Sequence, residues 1–396
     1  MKVPLLDLKA QYRRIGAEVR QAIDEVLESQ QFILGPTVQR FEEQAASYLQ
    51  CSSAIGVASG SDALLLSLMA LGIGAGDAVV VPPFTFFSTV SCITRLGATP
   101  IFVDIDPEGC LLDTRKVEAL FEERCRPNPD GQGLIESQSQ RQIKAILPIH
   151  LFGQCCPMAP LVSLAQRHRL HIVEDVAQAF GASALPSPGV AKPAGTVGDL
   201  GCFSFFPTKN LGAMGDGGLV VTNQKALAAR VKMLRTHGAN PKYHHQAVGL
   251  NSRLDAIHAA VLTVKLRHVE QWCQERIRRA RLYQKLFSET GLVGKQIIGL
   301  PPLGSGKSHV FNYYVIQVKQ RDELRQYLRQ QGIQSEVYYP LPLHLQPCFA
   351  DLGHKRGDFP NSELAASQVL ALPMYPELAL KQQGVVVQEI KNFYRA

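Results

Sequence analysis

Ser204-Phe205-Phe206-Pro207-Thr208-Lys209-Asn210-Leu211-Gly212-Ala213-Met214-Gly215-Asp216-Gly217-Gly218 joins a hydroxyl, a lysine and a glycine-rich turn, and the stretches on either side read as buried strands. Most lysines are solvated surface charges. A lysine shut between apolar strands is different, because burial disfavours an ammonium and leaves an amine able to attack a carbonyl. The main use of such an amine is a Schiff base, with a substrate or with pyridoxal phosphate. In the second case the chain must also supply an acid for the pyridine nitrogen, a phosphate cradle and a flat group against the ring.

Outward from that stretch the strand pattern recurs. Leu219-Val220-Val221 follows it directly, and Ala78-Val79-Val80-Val81, Ile101-Phe102-Val103 and His171-Ile172-Val173 precede it, with 143–147 nearly as apolar. Helical patterns over 62–71, 87–96 and 160–169 separate these runs. Continuous apolar, β-branched runs between helices predict an α/β sandwich whose mostly parallel sheet is buried on both faces, with ligands at the carboxyl ends of the strands. A helical piece precedes Gly35-Pro36. The polar stretch 124–142, holding Pro127, Pro129 and Gly131, reads as an exposed excursion, and 186–195 as a loop. A long helical pattern over 255–286 reads as a connector. Beyond Pro301-Pro302 a strand at 313–316, a helix at 322–329 and a strand at 336–339 predict a smaller α+β domain. The division expected is 1–250, a large α/β domain with an N-terminal helical segment, and 251–396, the connector with the small domain.

Composition excludes several function classes. At 396 residues, with 46% hydrophobic and 19% charged residues, the chain reads as an ordinary soluble protein of more than one core. The net charge of +7 is dispersed; its densest piece, Arg276 to Arg281, reads as a solvated helix face, without the interleaved aromatics of a nucleic-acid surface. The start of the chain has no apolar signal core and no run spans a bilayer, so no membrane partner is expected. Nine cysteines, an odd number with irregular spacing, point to a reducing cytoplasm. His237, His244 and His245 lack zinc-motif spacing and read as loop histidines, so no metal is expected.

Three further stretches carry chemistry. In Val57-Ala58-Ser59-Gly60-Ser61-Asp62 a small-residue turn enters an apolar helix. Gly60 permits close backbone approach, and the exposed amides and helix dipole suit a phosphate, although an ordinary N-cap reads the same way. Gly72-Ile73-Gly74-Ala75-Gly76 follows a helix rather than a strand and reads as a helix-terminating turn, not a dinucleotide fingerprint. Glu174-Asp175-Val176-Ala177-Gln178 ends a buried strand. A carboxylate there needs a cation or donor partner, which a pyridinium nitrogen would be, and Gln178 lies one turn away. Phe84-Thr85-Phe86-Phe87, past another strand end, offers an aromatic face for a ring.

These stretches, with Asn251-Ser252-Arg253-Leu254-Asp255 and Tyr339-Pro340-Leu341-Pro342-Leu343-His344, resemble the DegT/DnrJ/StrS family of pyridoxal phosphate-dependent nucleotide-sugar aminotransferases over nearly the whole chain. The resemblance implies the fold-type I architecture and a homodimer in which each active site borrows residues from the partner. Carried over by position, it makes Lys209 the Schiff-base lysine, holding pyridoxal 5'-phosphate as an internal aldimine. Asp175 becomes the pyridinium partner, Gln178 the neighbour of the ring hydroxyl, and Phe86 the residue stacked on the ring. Gly60, Ser61 and Ser204 become phosphate contacts, and Asn251, with Arg253, the position that reaches the neighbouring subunit's phosphate. Tyr339, His344 and Arg253 are the substrate candidates. Ser61, Met214 and His258 depart from the commoner Thr, aromatic and Gln; the change at Met214 bears on the substrate pocket.

The expected activity is transfer of an amino group from an amino acid, glutamate foremost, to a keto group of a nucleotide-linked keto-sugar, in a cytoplasmic homodimer serving polysaccharide biosynthesis. The His344 segment resembles enzymes acting on 3-keto or 4-keto sugars, with the 3-keto group preferred. Two alternatives stand beside it. A sugar dehydratase of the same family would carry histidine in place of Lys209, and a non-catalytic regulator on the same fold would not need the intact set of Lys209, Asp175, Gln178 and Ser204.

Overall fold

The computed structural model describes residues 2–131, 133–187 and 189–395. Gln132 and Pro188, which belong to the expected excursion and loop, lie outside the described residues. The elements run α1 (Leu8–Ser29), α2 (Gly35–Tyr48), β1 (Ser53–Val57), α3 (Gly60–Ala70), β2 (Asp77–Val81), α4 (Phe87–Arg95), β3 (Thr99–Phe102), α5 (Thr114–Arg124), β4 (Cys125–Pro127), β5 (Leu134–Glu136), β6 (Gln142–Ile146), α6 (Met158–His168), β7 (His171–Asp175), β8 (Ser183–Ser187) and β9 (Val190–Pro193). They continue with β10 (Leu200–Ser204), β11 (Gly218–Thr222), α7 (Lys225–Leu234), α8 (Ala256–Leu266), α9 (Val269–Ser288), β12 (Ile298–Gly299), β13 (Tyr314–Val318), α10 (Arg321–Gln330), α11 (Pro360–Gln368), β14 (Val369–Leu372) and α12 (Leu380–Phe393).

The central sheet has the order β1-β11-β10-β7-β6-β2-β3, with β5 and β4 added beside β6. From β10 through β7, β6 and β2 to β3 all pairings are parallel. β11 runs antiparallel to both β10 and β1. Since β1 and β10 both oppose β11, they point the same way. The ends of β1, β2, β7 and β10 and the beginning of β11 therefore share one edge, and the stretches at 57–62, 84–87, 174–178 and 204–218 emerge there.

The strands β2 and β11 are buried along their whole lengths, as continuous β-branched runs demand when helices cover both faces. Helix α3, apolar all round, packs across β10 and β11 and against α4 and α7. A second, three-stranded sheet, β12-β13-β14, is antiparallel.

The structure departs from the sequence reading in five places. The excursion 124–142 contains the strands β4 and β5, paired antiparallel, and 183–193 contains the paired strands β8 and β9. The connector is two helices, α8 and α9, broken at Arg267-His268 with no glycine or proline to announce it. No strand forms over 336–339: only Glu336 bridges Ala371, after which Tyr338 packs on Tyr313, ring centroids 4.4 Å apart. Finally, Arg276 is not solvated. It is buried and donates to the carbonyls of Phe311, Asn312 and Met374, while Arg278 stays on the exposed side. Burying that guanidinium is tolerable because backbone acceptors replace its water.

Candidate active site

At the common strand edge lies a cavity of about 460 Å³, lined among others by Gly60, Ser61, Phe86, Asp175, Gln178, Ser204, Lys209 and Tyr339. The two adjacent acids at the end of β7 meet opposite fates there, because neighbouring strand residues face opposite ways. Glu174 points into protein. Its carboxylate accepts from the backbone amides of Gly195, Val197 and Gly198 and pairs with His150 Nε2 at 2.9 Å. Cys156 N–H donates to His150 Nδ1, which leaves Nε2–H to donate to Glu174. Asp175 lines the cavity instead. It accepts from the Thr89 hydroxyl at 2.8 Å and from Ala177 N–H at 3.1 Å. Burial raises its pKa above the usual carboxylate value, against the pull of those donors and of the Lys209 charge. A carboxylate in that state is stabilised by a cation entering the cavity.

The helices α3 and α4 both begin at this cavity, and Ser61 Oγ lies 2.6 Å from Ser88 Oγ across their first turns. Ser59 caps α3 through Asp62 N–H, so the N-cap reading of that turn holds. The turn is also a cradle. A Cβ on Gly60 would stand 2.7 Å from Ser204 Cβ and 3.1 Å from its Cα, so only glycine leaves the space open. Two helix N-termini with flanking hydroxyls form a favourable place for a phosphate.

Gln178 is oriented from both ends. Its Oε1 accepts from Phe152 N–H at 2.6 Å, and its Nε2 donates to Tyr339 Oη at 2.9 Å. Its remaining amide hydrogen is therefore a donor. Phe86 is 55% exposed, with its ring centroid 6.0 Å from that of Tyr339. Lys209 is not shut between strands as expected. It sits half-buried in the turn between β10 and β11, at the cavity wall.

Three expected residues lie elsewhere. His344 is buried beside Phe359, with Nε2 on Glu363 Oε1 at 3.2 Å, and is not among the lining residues. Burial lowers its pKa more than Glu363 raises it. Asn251 is exposed and bridges Thr236 at the base of a hairpin; Arg253 is half-buried, with its Nε lacking a partner among the described residues. Neither lines the cavity of this chain. The cavity also holds Thr85, Ser88, Thr208, Asp216, Tyr313 and Tyr338, which sequence reasoning did not single out. Thr89 stands in the first turn of α4, just past the Phe84-Thr85-Phe86-Phe87 stretch, and its hydroxyl lies 3.1 Å from that of Thr85.

These residues fit pyridoxal phosphate: a cradle that a Cβ would close, an acid poised for a cation, an exposed aromatic face and a lysine share one cavity. Comparison with known proteins agrees. The chain is 44% identical to a "Pleiotropic regulatory protein" of Geobacillus stearothermophilus over 100% of its own length and 99% of the relative. It is 40% identical to a dTDP-3-amino-3,4,6-trideoxy-alpha-D-glucose transaminase of Streptomyces venezuelae, covering 99% and 96% of the two chains. The crystal structure of S. venezuelae DesV in complex with a ketimine intermediate superposes with a TM-score of 0.89 at 39% identity, over 100% of this chain and 99% of that one. A family model matches residues 13–391, and the chain belongs to the DegT/DnrJ/EryC1/StrS aminotransferase family.

Proposed function

We propose that this protein is a pyridoxal phosphate-dependent aminotransferase that moves an amino group from glutamate to the 3-keto group of a nucleotide-linked sugar. The observation that carries the reading is that Asp175, Lys209 and the Gly60–Ser204 cradle line one cavity. Transaminase relatives support it, and the Streptomyces venezuelae enzyme is named for a sugar with its amino group on carbon 3.

Bound pyridoxal phosphate supplies an electron sink, which lets a proton leave the α-carbon of the donor. The chain does the rest. Gly60, Ser61 and Ser204 would hold the phosphate at the starts of α3 and α4, and Phe86 would cover one face of the ring. Asp175 holds a proton on the pyridine nitrogen; its buried carboxylate is worth most where water is excluded. Gln178, fixed by Phe152 and Tyr339, would offer its Nε2 donor to the ring hydroxyl. Lys209 Nζ would hold the cofactor between turnovers and, once freed, would move the donor's proton as general base and acid. Tyr339 forms the wall on which the sugar rests.

The site is shared in our reading. The hairpin 236–251 leaves the body of the chain with Tyr243 79% and Val248 91% exposed, and Asn251 and Arg253 at its base reach the cofactor phosphate of a second copy. We place the homodimer in the cytoplasm, supported by nine free thiols; among the described residues no helix is long and apolar enough to cross a membrane. We also retain 250/251 as the boundary between the large and small domains. A regulatory reading has two relatives' names in its favour, that of the Geobacillus protein and that of a Saccharopolyspora erythraea sensory transduction protein, and the gathering of Lys209, Asp175, Gln178 and Ser204 in one cavity weighs against it.

The test is turnover. The pyridoxamine form, offered a panel of nucleotide-linked 3-keto and 4-keto sugars, is expected to aminate a 3-keto member and to be regenerated by glutamate. Absence of amino-sugar with every member refutes the proposal.

A further inference from the structure

Lys265, on α8, is a buried cation that none of these roles uses. It is 5% exposed, and its Nζ donates to the carbonyl of Gly212 at 2.6 Å. Desolvation lowers its pKa from 10.5 to about 8, and no neighbouring charge opposes that among the described residues. An ammonium without a counter-ion is a costly way to fill a core, since methionine would occupy similar space without a charge.

Gly212 explains the placement. It closes the turn that carries Lys209. The base of that turn is held by Phe205 N–H to Gly217 O and Ala213 N–H to Phe205 O, each 2.7 Å, and its interior by Lys209 N–H to Phe206 O at 2.9 Å. The turn doubles back so closely that a Cβ on Gly212 would lie 2.5 Å from Pro207 O. On one side Asn210 reaches Phe180 O; on the other the Gly212 carbonyl is taken by Lys265.

We propose that Lys265 is a positioning residue, a clamp from α8 on the Gly212 carbonyl that holds the Lys209 turn against the cavity. The proposal rests on the reading of Lys209 as the reactive amine. A charge-assisted hydrogen bond is about twice as strong as a neutral one, so the clamp uses a charge where an amide would hold less firmly.

The experiment compares the wild type with Lys265→Met and Lys265→Gln as full-length holoenzymes. In Lys265→Met, kcat is expected to fall about tenfold with KM for both substrates within about twofold, the pattern of a disturbed reacting geometry. Amide hydrogen exchange over 206–214 is expected to quicken several-fold, with β7 and β10 unchanged. Lys265→Gln, which keeps a neutral donor, is expected between Met and the wild type in both measurements. Unchanged exchange in the turn overturns the clamp, whatever happens to turnover. Exchange raised throughout the chain, or failure of both variants to fold, assigns Lys265 to the fold as a whole and also overturns it. Borohydride fixation of the cofactor in each protein separates the two readings. Label on another lysine sinks the Lys209 assignment and the positioning role with it, whereas label on Lys209 with unchanged exchange sinks only the clamp.

Discussion

The buried ammonium of Lys265 leaves a signature in stability as well as in catalysis. In the unfolded chain its proton is held up to about pH 10.5; in the fold it is lost near about 8 because the group is desolvated. Between those limits the unfolded state binds more protons, so stability rises with pH. Below about pH 8 the desolvation cost is present in full, and it is relieved as pH climbs toward 10.5. The difference is ~2.5 pKa units at 1.36 kcal/mol each, a ceiling of roughly 3 kcal/mol. Lys265→Met removes this one titration and leaves the other tyrosines, cysteines and lysines in place, so their contributions cancel in the comparison. The assay is urea unfolding at a series of pH values, followed by fluorescence of the single tryptophan. Trp272 is a close reporter, buried in one apolar cluster with Val261 and Val264 of α8. The stability of the wild type minus that of Lys265→Met is expected to stay level from pH 6 to about 7.5, then rise by up to roughly 3 kcal/mol by pH 10.5. A difference that stays flat across that window, showing that Lys265 titrates alike in both states, or one that falls, showing that the fold holds its proton more tightly, refutes the reasoning.

Asp175→Asn is expected to fold and bind cofactor while losing about a hundredfold or more in kcat, on the scale of ~3 kcal/mol of lost charge stabilisation; near-normal turnover would make Asp175 a strand cap. Gly60→Ala is expected to weaken cofactor affinity about tenfold or more, ~1.4 kcal/mol, because its Cβ would collide with Ser204; unchanged affinity by cofactor titration would remove the phosphate from that turn. An inactive Lys209→Ala chain mixed with an inactive chain altered at Asn251 and Arg253 is expected to regain part of its activity as subunits exchange. No recovery after demonstrated exchange, or a monomer in sedimentation, rules out the shared site.

The parts of the fold visible in the sequence were those with a local cause. Runs such as Ala78-Val79-Val80-Val81 announce buried strands because both faces are covered, and turns such as Ser59-Gly60-Ser61 announce a helix start because the cap and the glycine are adjacent. What stayed hidden was set by distant partners. The break at Arg267-His268 has no breaker residue; there His268 stacks on Trp272, ring centroids 5.7 Å apart. Tyr338 and Tyr339 read as strand residues by propensity, and packing on Tyr313 and a hydrogen bond from Gln178 draw them out of the ladder. Arg276 lies in a basic run that looks solvated, yet carbonyls from β13's approach and from Met374 enclose it.

The same distinction runs through the site itself. Sequence places Glu174 and Asp175 together at a strand end, and both are carboxylates that burial penalises. Alternation along the strand then divides them. Glu174 receives backbone amides at 195–198 and the imidazole of His150, so protein groups alone stabilise its charge. Asp175 receives one hydroxyl and one amide, and burial still raises its pKa. The acid left less satisfied is the one facing the cavity. An incompletely compensated group is costly to the empty fold and useful to a bound cation, and Lys265 shows the same economy at the lysine turn, where a charge without a counter-ion secures a single carbonyl. Both costs bear on the two ends of one cavity wall, the acid at the end of β7 and the amine after β10. That coincidence is better explained by a chemical task at the site than by the needs of folding, for which neutral, apolar residues at either place would cost less.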